Sequence, residues 1–451
     1  MNMKELIQET LWRKASRIRK DNNDVDSMLW GLGLVFLKYM SHAFDRMFLE
    51  LKRDEIKRLH ENLFYIPQES HWEYVMERAE RMGIGSVLDE AMEDIERVNP
   101  TVQKILPREY ASPDIRPDQL ALFLKMLGDI PKEYFRTGEI LQGVFGYFIR
   151  NYLAAGDKRQ ESISTPQSVD KLAVAMVGPW EGKIFDPCCG VGSMLVESQA
   201  YILRNLHLVN TSLKNLVKKN LVKTTDQIVF YGQESRLTNF RLCRMNLAIH
   251  GVDGTQVGWN NESSLDKDLH PDLKADYISC APPINSRYSD WMRYIVSHLS
   301  LGGVAGVILS KDSLSNSSPL LAAMIDENNV SKKSAGHIQV NCIVALPAQL
   351  FQSTGTSACL WLFGRGKGRI SGAINQDSEV LFIDASSNIP GIPRKFRNRE
   401  LSNSEIDEIA GIFRRWQAQS GEYKDVKGFC RSLDWETIKR NHFNLAPERY
   451  V

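Results

Sequence analysis

A glycine-rich turn near the middle of the chain has residue types that could hold a small ligand. In the segment IFDPCCGVGSMLVES an apolar run ends at Asp186, and Gly190-Val191-Gly192 leads into a helical pattern. Glycine lets the backbone turn tightly and approach a ligand, although purely structural turns of this kind are common. Leu195 stands where a dinucleotide-binding fingerprint has its third glycine, which argues against a nicotinamide or flavin cofactor.

A second carboxylate follows the next apolar run. The segment IVFYGQES places Glu234 at the end of that run, where its carboxylate can accept hydrogen bonds from both hydroxyls of a ribose. In a doubly wound sheet, ligands lie outside the carboxyl ends of the strands, so the glycine turn and the two carboxylates are expected to line one crevice. This combination favours S-adenosylmethionine as the ligand over a turn with no ligand.

The elements that must position these residues differ along the chain. Up to about residue 127, charged Leu- and Met-rich segments have apolar residues at helical spacing, whereas from Phe185 short apolar runs alternate with helical stretches. That alternation predicts an α/β fold with a mainly parallel sheet. We expect a helical domain over 1–130, an α/β domain over 131–370, and a C-terminal linker and helical tail over 371–451.

Composition limits the function classes. The chain has 451 residues, with 56 Lys and Arg against 55 Asp and Glu, and this near balance excludes a polybasic binder but permits a local basic patch. The acid-free segment 204–223 is more often a solvated helix face than a phosphate-binding surface. The seven cysteines lack paired zinc spacing, and Cys188 and Cys189 are interpreted as packing residues, so no metal is expected. Without an apolar run of membrane-spanning length or a signal peptide, a cytoplasmic protein is predicted.

Longer motifs extend through the chain. They are GLVFLKYMSHAFD at 33–45, IGSVLDEAMEDIERVNP at 84–100, DPCCGVGSM at 186–194, GQESRLTNFRLCRMNLAIHG at 232–251 and the closing FNLAPERYV. Together they resemble the modification (M) subunits of type I restriction-modification systems, a family of adenine-N6 DNA methyltransferases. The resemblance implies a Rossmann-like, S-adenosylmethionine-dependent methyltransferase core in the α/β domain.

The resemblance also implies a set of site residues and partners. Thr165, Asp186, Gly190, Gly192 and Glu234 would bind S-adenosylmethionine. DNA would be the substrate, and a specificity (S) subunit would choose the DNA sequence, with a restriction (R) subunit or a second M-like chain as further partners. The implied function is that of an M subunit in a type I or related DNA-defence complex.

The catalytic position departs from the family pattern. The family has Asn-Pro-Pro followed by Phe or Tyr, in which the Asn oxygen accepts a hydrogen of the adenine amine and the ring stacks on the flipped base. Here the motif reads Ala281-Pro282-Pro283-Ile284, so both of those groups are missing. Loss of one such preorganised polar group typically lowers a rate by about 10²–10³. Adenine methylation by this chain is therefore in question.

Two further departures lie on the same side of the site. The family has an aromatic pair before Thr-Pro, where this chain has Ile163-Ser164, and the loop after the catalytic motif is short. A local rearrangement that brings in Asn285 or Tyr288 would restore the missing groups. The alternative function is a catalytically inactive pseudo-methyltransferase that acts as a DNA- and partner-binding scaffold; methylation of RNA or of a protein amide is disfavoured, because it needs the same missing Asn.

Overall fold

The computed structural model describes most of the chain. The described residues are 3–20, 24–50, 65–130, 139–158, 165–205, 228–283, 287–314, 338–348, 350–351, 357–366, 379–387, 389–390, 392, 400–418 and 421–451. In chain order they form α1 (Met3–Ala15), α2 (Asp24–Glu50), α3 (Trp72–Met82), α4 (Ile84–Val98), α5 (Pro117–Gly128), α6 (Glu139–Lys158), α7 (Gln167–Val177), β1 (Gly182–Asp186), α8 (Ser193–Asn205), β2 (Ile228–Glu234), α9 (Leu237–Ile249), β3 (Val257–Trp259), β4 (Ala275–Cys280), α10 (Tyr288–His298), β5 (Leu299–Ser310), β6 (Ile338–Ala345), β7 (Ala358–Arg365), β8 (Glu379–Asp384), α11 (Asn403–Ala418), β9 (Cys430–Asp434) and α12 (Trp435–Arg440).

These elements belong to two compact units. The first consists of Met1–Arg159 together with Leu237–Thr255, and the second of Gln160–Arg236 together with Gln256–Val451. The helices of the first unit are α1–α6 and α9. In the chain, α9 lies between β2 and β3, which are strands of the second unit. None of the described helices is long and apolar enough to cross a membrane.

Buried contacts between helices hold the first unit together. The Trp12 ring on α1 meets the Phe148 ring on α6 edge to face, with 5.3 Å between the centroids. The Lys38 side chain on α2 is buried, and its ammonium donates to the carbonyl of Leu127 and lies 5.2 Å from the centroid of the Trp72 ring. A buried cation needs such partners, because an unpaired charge is strongly disfavoured in the interior.

The second unit is built on a sheet with the strand order β3-β2-β1-β4-β5-β7-β6-β8-β9. β1 pairs in parallel with β2 and with β4, β4 pairs in parallel with β5, and β7 runs antiparallel between β5 and β6. The strand order changes direction between β1 and β4, which leaves a crevice outside the carboxyl ends of these strands. The predicted Rossmann-like α/β fold is confirmed.

Apolar runs explain the central strands of this sheet. Every residue of β6 is buried, as is all of β7 except Arg365. Continuous burial of this kind occurs where both faces of a sheet are covered. α7 packs against α8, β4 and β5, and it ends at Gly178, whose φ of 64° suits glycine at a helix end.

The segment after residue 370 differs in part from the linker and helical tail that the sequence predicts. It contains α11 and α12, and α11 packs against α7, but β8 and β9 also extend the sheet. β9 is the strand that periodicity does not indicate, because the burial of its five residues does not alternate: only Cys430 and Leu433 are buried. The last residues pack beside it: the carbonyl of Tyr450 accepts a hydrogen bond from Arg431, and the Tyr450 ring lies 4.6 Å from that of Phe382.

Candidate active site

The candidate site lies at the carboxyl ends of β1, β2 and β4. Asp186 is the last residue of β1 and pairs in register with Gly232, two residues before the end of β2. Ala281 follows β4, the other neighbour of β1. Because these strands are parallel, Asp186, Glu234 and the altered catalytic motif lie at the same edge of the sheet.

The glycine turn connects β1 to α8 in left-handed backbone conformations. Gly190 has φ of 55° and Gly192 has φ of 78°, and the N–H of Gly192 donates to the carbonyl of Cys189 over 2.7 Å. A Cβ atom placed on Gly190 would meet no described atom within 4 Å. Glycine is therefore required at position 190 by the backbone angle, and the space next to it is open to a ligand.

Asp186 is a buried carboxylate at this turn. Only 3% of the residue is exposed, and its Oδ1 accepts the N–H of Cys188 over 3.1 Å. Burial raises the pKa of Asp186 to about 7; the nearby charge of Glu234 acts in the same direction, and the hydrogen bonds from Cys188 oppose it. A positively charged ligand would favour the ionised form of this group.

Glu234 is the last residue of β2 and lies next to the glycine turn. It is 8% exposed, and its Oε1 accepts the N–H of Arg236 over 2.7 Å. Burial raises the pKa of Glu234, while hydrogen bonds from the backbone of Arg236, Ser235 and Gly190 act in the opposite direction. The contact with Gly190 shows that Glu234 and the glycine turn adjoin, as the strand pattern predicts.

Thr165 starts the described segment that leads into α7. It precedes Pro166, whose carbonyl accepts the N–H groups of Val169 and Asp170 in the first turn of the helix. The preceding pair, Ile163 and Ser164, lies outside the described residues. The acid-free segment 204–223 also lies outside the described residues from position 206 onward.

Asp170 is a site residue that sequence reasoning missed. It is 1% exposed, and neither carboxylate oxygen has a described partner in hydrogen-bonding geometry. Burial raises its pKa strongly, Ser193 opposes this in part, and the charges of Asp186 and Glu197 raise it further. Its position in the helix pattern gives no signal; only the fold brings it beside the glycine turn.

The end of β3 adds a second group that the sequence did not indicate. Trp259 pairs in register with Glu234, remains 41% exposed, and donates its indole N–H to the carbonyl of Ser235 over 3.3 Å. β3 has only three residues, too few for a period-2 pattern to be read. The aromatic ring thus lies beside a predicted ribose-binding carboxylate.

The altered catalytic motif is described only up to Pro283. Pro282 is buried, Ala281 is half-buried, and Ile284 and Asn285 lie outside the described residues. α10 begins at Tyr288, so only residues 285–287 separate the motif from the helix.

Two residues after the motif are held by neighbours. Arg287 has φ of 64°, and its guanidinium donates to Asp266 over 2.9 Å and to Asp290 over 3.0 Å. The hydroxyl of Tyr288 is hydrogen-bonded to Ser310, and burial raises its pKa. Both side chains are therefore engaged in contacts of the protein itself.

Two thiols lie between the glycine turn and the catalytic motif. Cys188 donates a hydrogen bond toward the sulfur of Cys280; this contact is the largest cause of the raised pKa of Cys188, whereas burial is the largest cause for Cys280. All seven cysteines are free, and the described residues contain no group of His, Cys, Asp and Glu that could hold a metal ion. Cys280 is part of the buried core beside the sheet, and Cys188 packs against that core.

A mainly parallel sheet with a change of strand order, a glycine turn and acids at the ends of neighbouring strands is the arrangement of a Rossmann-like methyltransferase. A family model described as N-6 DNA Methylase matches residues 136–290 and 285–451, and one described as HsdM N-terminal domain matches residues 7–127. The chain belongs to the N-6 DNA methylase family. The resemblance to type I modification subunits that the sequence motifs indicated is confirmed.

Similar proteins agree with this assignment. The methylase subunit of the type I restriction enzyme HindI from Haemophilus influenzae is 28% identical over 82% of this chain and 83% of its own length. The MjaIX methylase subunit from Methanocaldococcus jannaschii is 24% identical over 99% of this chain and 84% of its own. A crystal structure of a type I methyltransferase subunit from Streptococcus thermophilus shares the fold, with a TM-score of 0.71 at 19% identity over 100% of both chains.

The buried carboxylate of Asp170, which no cation among the described residues neutralises, makes a testable contribution to stability. We expect Asp170→Asn to raise the free energy of unfolding by about 1–3 kcal/mol near about pH 8, because the amide carries no charge to bury. Burial raises the pKa of Asp170 in the folded chain above its value of about 3.9 in the unfolded chain, so wild-type stability falls as pH rises between the two values. The gain should therefore shrink toward about pH 4, which urea unfolding at both pH values measures.

Asp118→Asn is the matched control. Asp118 is an exposed carboxylate near the start of α5, and a hydrogen bond from Gln119 lowers its pKa. Its replacement should leave stability unchanged or reduce it slightly. Equal stabilisation by both substitutions, or a loss of stability in Asp170→Asn at both pH values, would contradict the assignment of Asp170 as a buried acid without a cationic partner.

Proposed function

We propose that this M subunit binds S-adenosylmethionine in the crevice at the ends of β1 and β2 and acts on DNA within a type I complex. The observation that carries the proposal is that the glycine turn adjoins the end of β2 at the change of strand order, where the N–H of Cys189 donates to the carbonyl of Gln233 over 3.0 Å. Asp186 and Asp170 add two further buried carboxylates to the same place. A site with this surplus of negative charge suits a ligand that carries positive charge.

The chemistry of S-adenosylmethionine fits these groups. Its sulfonium and ammonium would be attracted by Asp186 and Asp170, and its ribose hydroxyls would donate to Glu234. The open space beside Gly190 leaves room for the ligand, and the exposed ring of Trp259 offers a flat apolar surface to an adenine. When bound, S-adenosylmethionine supplies an electrophilic methyl group. We assign Thr165, which leads into α7, to the same site.

The proposed partners follow from the family and from the relatives. We assign DNA contact and docking of a specificity subunit to the helical region 1–130 and to the region 371–451. In the chain these regions precede and follow the methyltransferase core at 131–370. The HsdM N-terminal domain match at 7–127 supports a role in a multi-subunit complex for the first of these regions. A restriction subunit or a second M-like chain would complete the assembly, and a cytoplasmic DNA-defence role is part of the proposal.

The substrate side of the site raises a second candidate function. Adenine-N6 transfer needs an acceptor for a hydrogen of the exocyclic amine, and the methyl group of Ala281 cannot accept one. The hydroxyl of Tyr288, a group that could have replaced the missing acceptor, is hydrogen-bonded to Ser310. These observations favour a scaffold that binds cofactor and DNA but transfers methyl groups slowly or not at all.

Replacing the proposed ribose ligand tests cofactor binding. We expect Glu234→Gln to weaken binding of S-adenosylmethionine by about tenfold to a hundredfold, because hydrogen bonds to a charged acceptor are worth about 1.5–3 kcal/mol. Isothermal titration calorimetry on the full chain measures the dissociation constant. Glu262→Gln is the control: this carboxylate is exposed, follows β3, and should not change the affinity. No measurable binding by the wild-type chain would exclude the cofactor proposal.

Restoring the amide tests which of the two functions applies. In the presence of a specificity subunit and DNA, we expect Ala281→Asn to raise transfer of a tritiated methyl group to adenine by about 10²–10³ over wild type. Ala281→Leu adds comparable volume without an acceptor and should give no rise. Wild-type transfer as fast as that of Ala281→Asn would show that another group replaces the missing amide and would rule out the scaffold.

A further inference from the structure

All the residues that line a cavity in the structure belong to the first unit. Its volume is about 370 Å³, within the range of about 300–1,000 Å³ typical of small-ligand sites. Apolar side chains form part of its lining, namely those of Leu29, Trp30, Leu106 and Pro107. The other lining residues are charged, so the cavity combines an apolar wall with an ionic one.

Hydrogen bonds fix the walls of this cavity. Trp30 donates its indole N–H to the carbonyl of Arg108 over 3.2 Å, and the Tyr110 hydroxyl donates to the carbonyl of Trp30 over 2.9 Å. The buried carboxylate of Glu96 accepts the N–H of Leu106 over 2.6 Å and is ion-paired with Arg108. A ligand would therefore meet a preorganised surface.

The charges that remain in the cavity are mainly positive. Arg108 is neutralised by Glu96 and by Glu93, the latter at 3.5 Å. Lys104 and Arg241 also line the cavity. The remaining acidic residue of the lining is Glu109, which is exposed. Among the described residues, neither of these two cations is ion-paired.

Two arginines on α9, Arg241 and Arg244, differ in their hydrogen bonds. Arg244 donates from Nε to the carbonyl of Thr101 over 2.9 Å and from its terminal nitrogen to that of Pro100 over 3.1 Å, so it fixes the loop that leads into the cavity. Arg241 lies one turn earlier, and its buried Nε has no hydrogen-bond partner among the described residues. A buried donor without a partner is unfavourable, and an oxyanion in the cavity would supply that partner.

We propose that this cavity binds a nucleoside monophosphate, with the phosphate held by Arg241 and Lys104 and the base against Trp30 and the neighbouring apolar side chains. Arginine and lysine are the common ligands of phosphate oxygens, and an aromatic side chain favours a flat base. The cavity volume suits one nucleotide rather than a bare phosphate. This site does not depend on the proposed cofactor site in the second unit.

Calorimetric titration of the full chain with cytidine monophosphate tests the proposal. A pyrimidine nucleotide is used because it offers no adenine to the proposed cofactor site. We expect it to bind, and cytidine and inorganic phosphate each to bind at least about tenfold more weakly, because each lacks one of the two contacts. Arg241→Gln should weaken binding of the nucleotide by about tenfold or more, and Arg241→Lys by less.

Matched variants separate the site from general effects. Lys104→Asn should weaken binding without backbone strain, since Lys104 has φ of 61° and Asn tolerates this region. Arg97→Gln, on the exposed face of α4, should leave the affinity unchanged. No binding of cytidine monophosphate, or equal binding by wild type and Arg241→Gln, would overturn the proposal. Loss of affinity for a short single-stranded oligonucleotide in Arg241→Gln, with no binding of the free nucleotide, would also overturn it and would assign the cavity to nucleic acid.

Discussion

The parallel pairing of β1 with both of its neighbours is the constraint on which the site depends. Ile184 pairs with Phe230 of β2 and also with Tyr277 of β4, so the three strands deliver their last residues to one edge. A slip of one residue in either pair would turn alternate side chains to the opposite face of the sheet. The buried aromatic and aliphatic side chains of these strands therefore fix the position of Asp186 and Glu234 as well as the core.

The same edge of the sheet is electrostatically unfavourable without a ligand. Asp170, Asp186 and Glu234 are all buried, and for each of them burial is the first cause of a raised pKa. Removing a carboxylate from water disfavours its charged form unless a cation or a hydrogen bond compensates. Backbone N–H groups compensate at Asp186 and Glu234, whereas Asp170 lacks this help. Buried carboxylates that lower the stability of the folded chain and have raised pKa values are typical of functional sites.

The sequence predicted the part of the site that depends on local order along the chain. The glycine turn directly follows one strand and the carboxylate ends the next strand along the chain, so strand alternation alone places Asp186, Gly190 and Glu234 at one edge of the sheet. Asp170 and Trp259 could not be found in this way. Asp170 reaches the turn only because α7 packs against α8 and the sheet, and Trp259 ends a strand of three residues.

The proposed cofactor side of the crevice and the side that carries the altered catalytic motif are built by different elements, so one can change without the other. The glycine turn and Glu234 are held by β1, β2 and the start of α8, whereas the position of the family's asparagine lies on the chain after β4. Ala281 lies beyond the parallel pairing of β4, which ends at Ile278 with β1 and at Cys280 with β5. The fold therefore places no requirement on the side chain at position 281. Only the chemistry of the amine does, and a chain whose role is to hold cofactor and DNA within a complex would not be under that requirement.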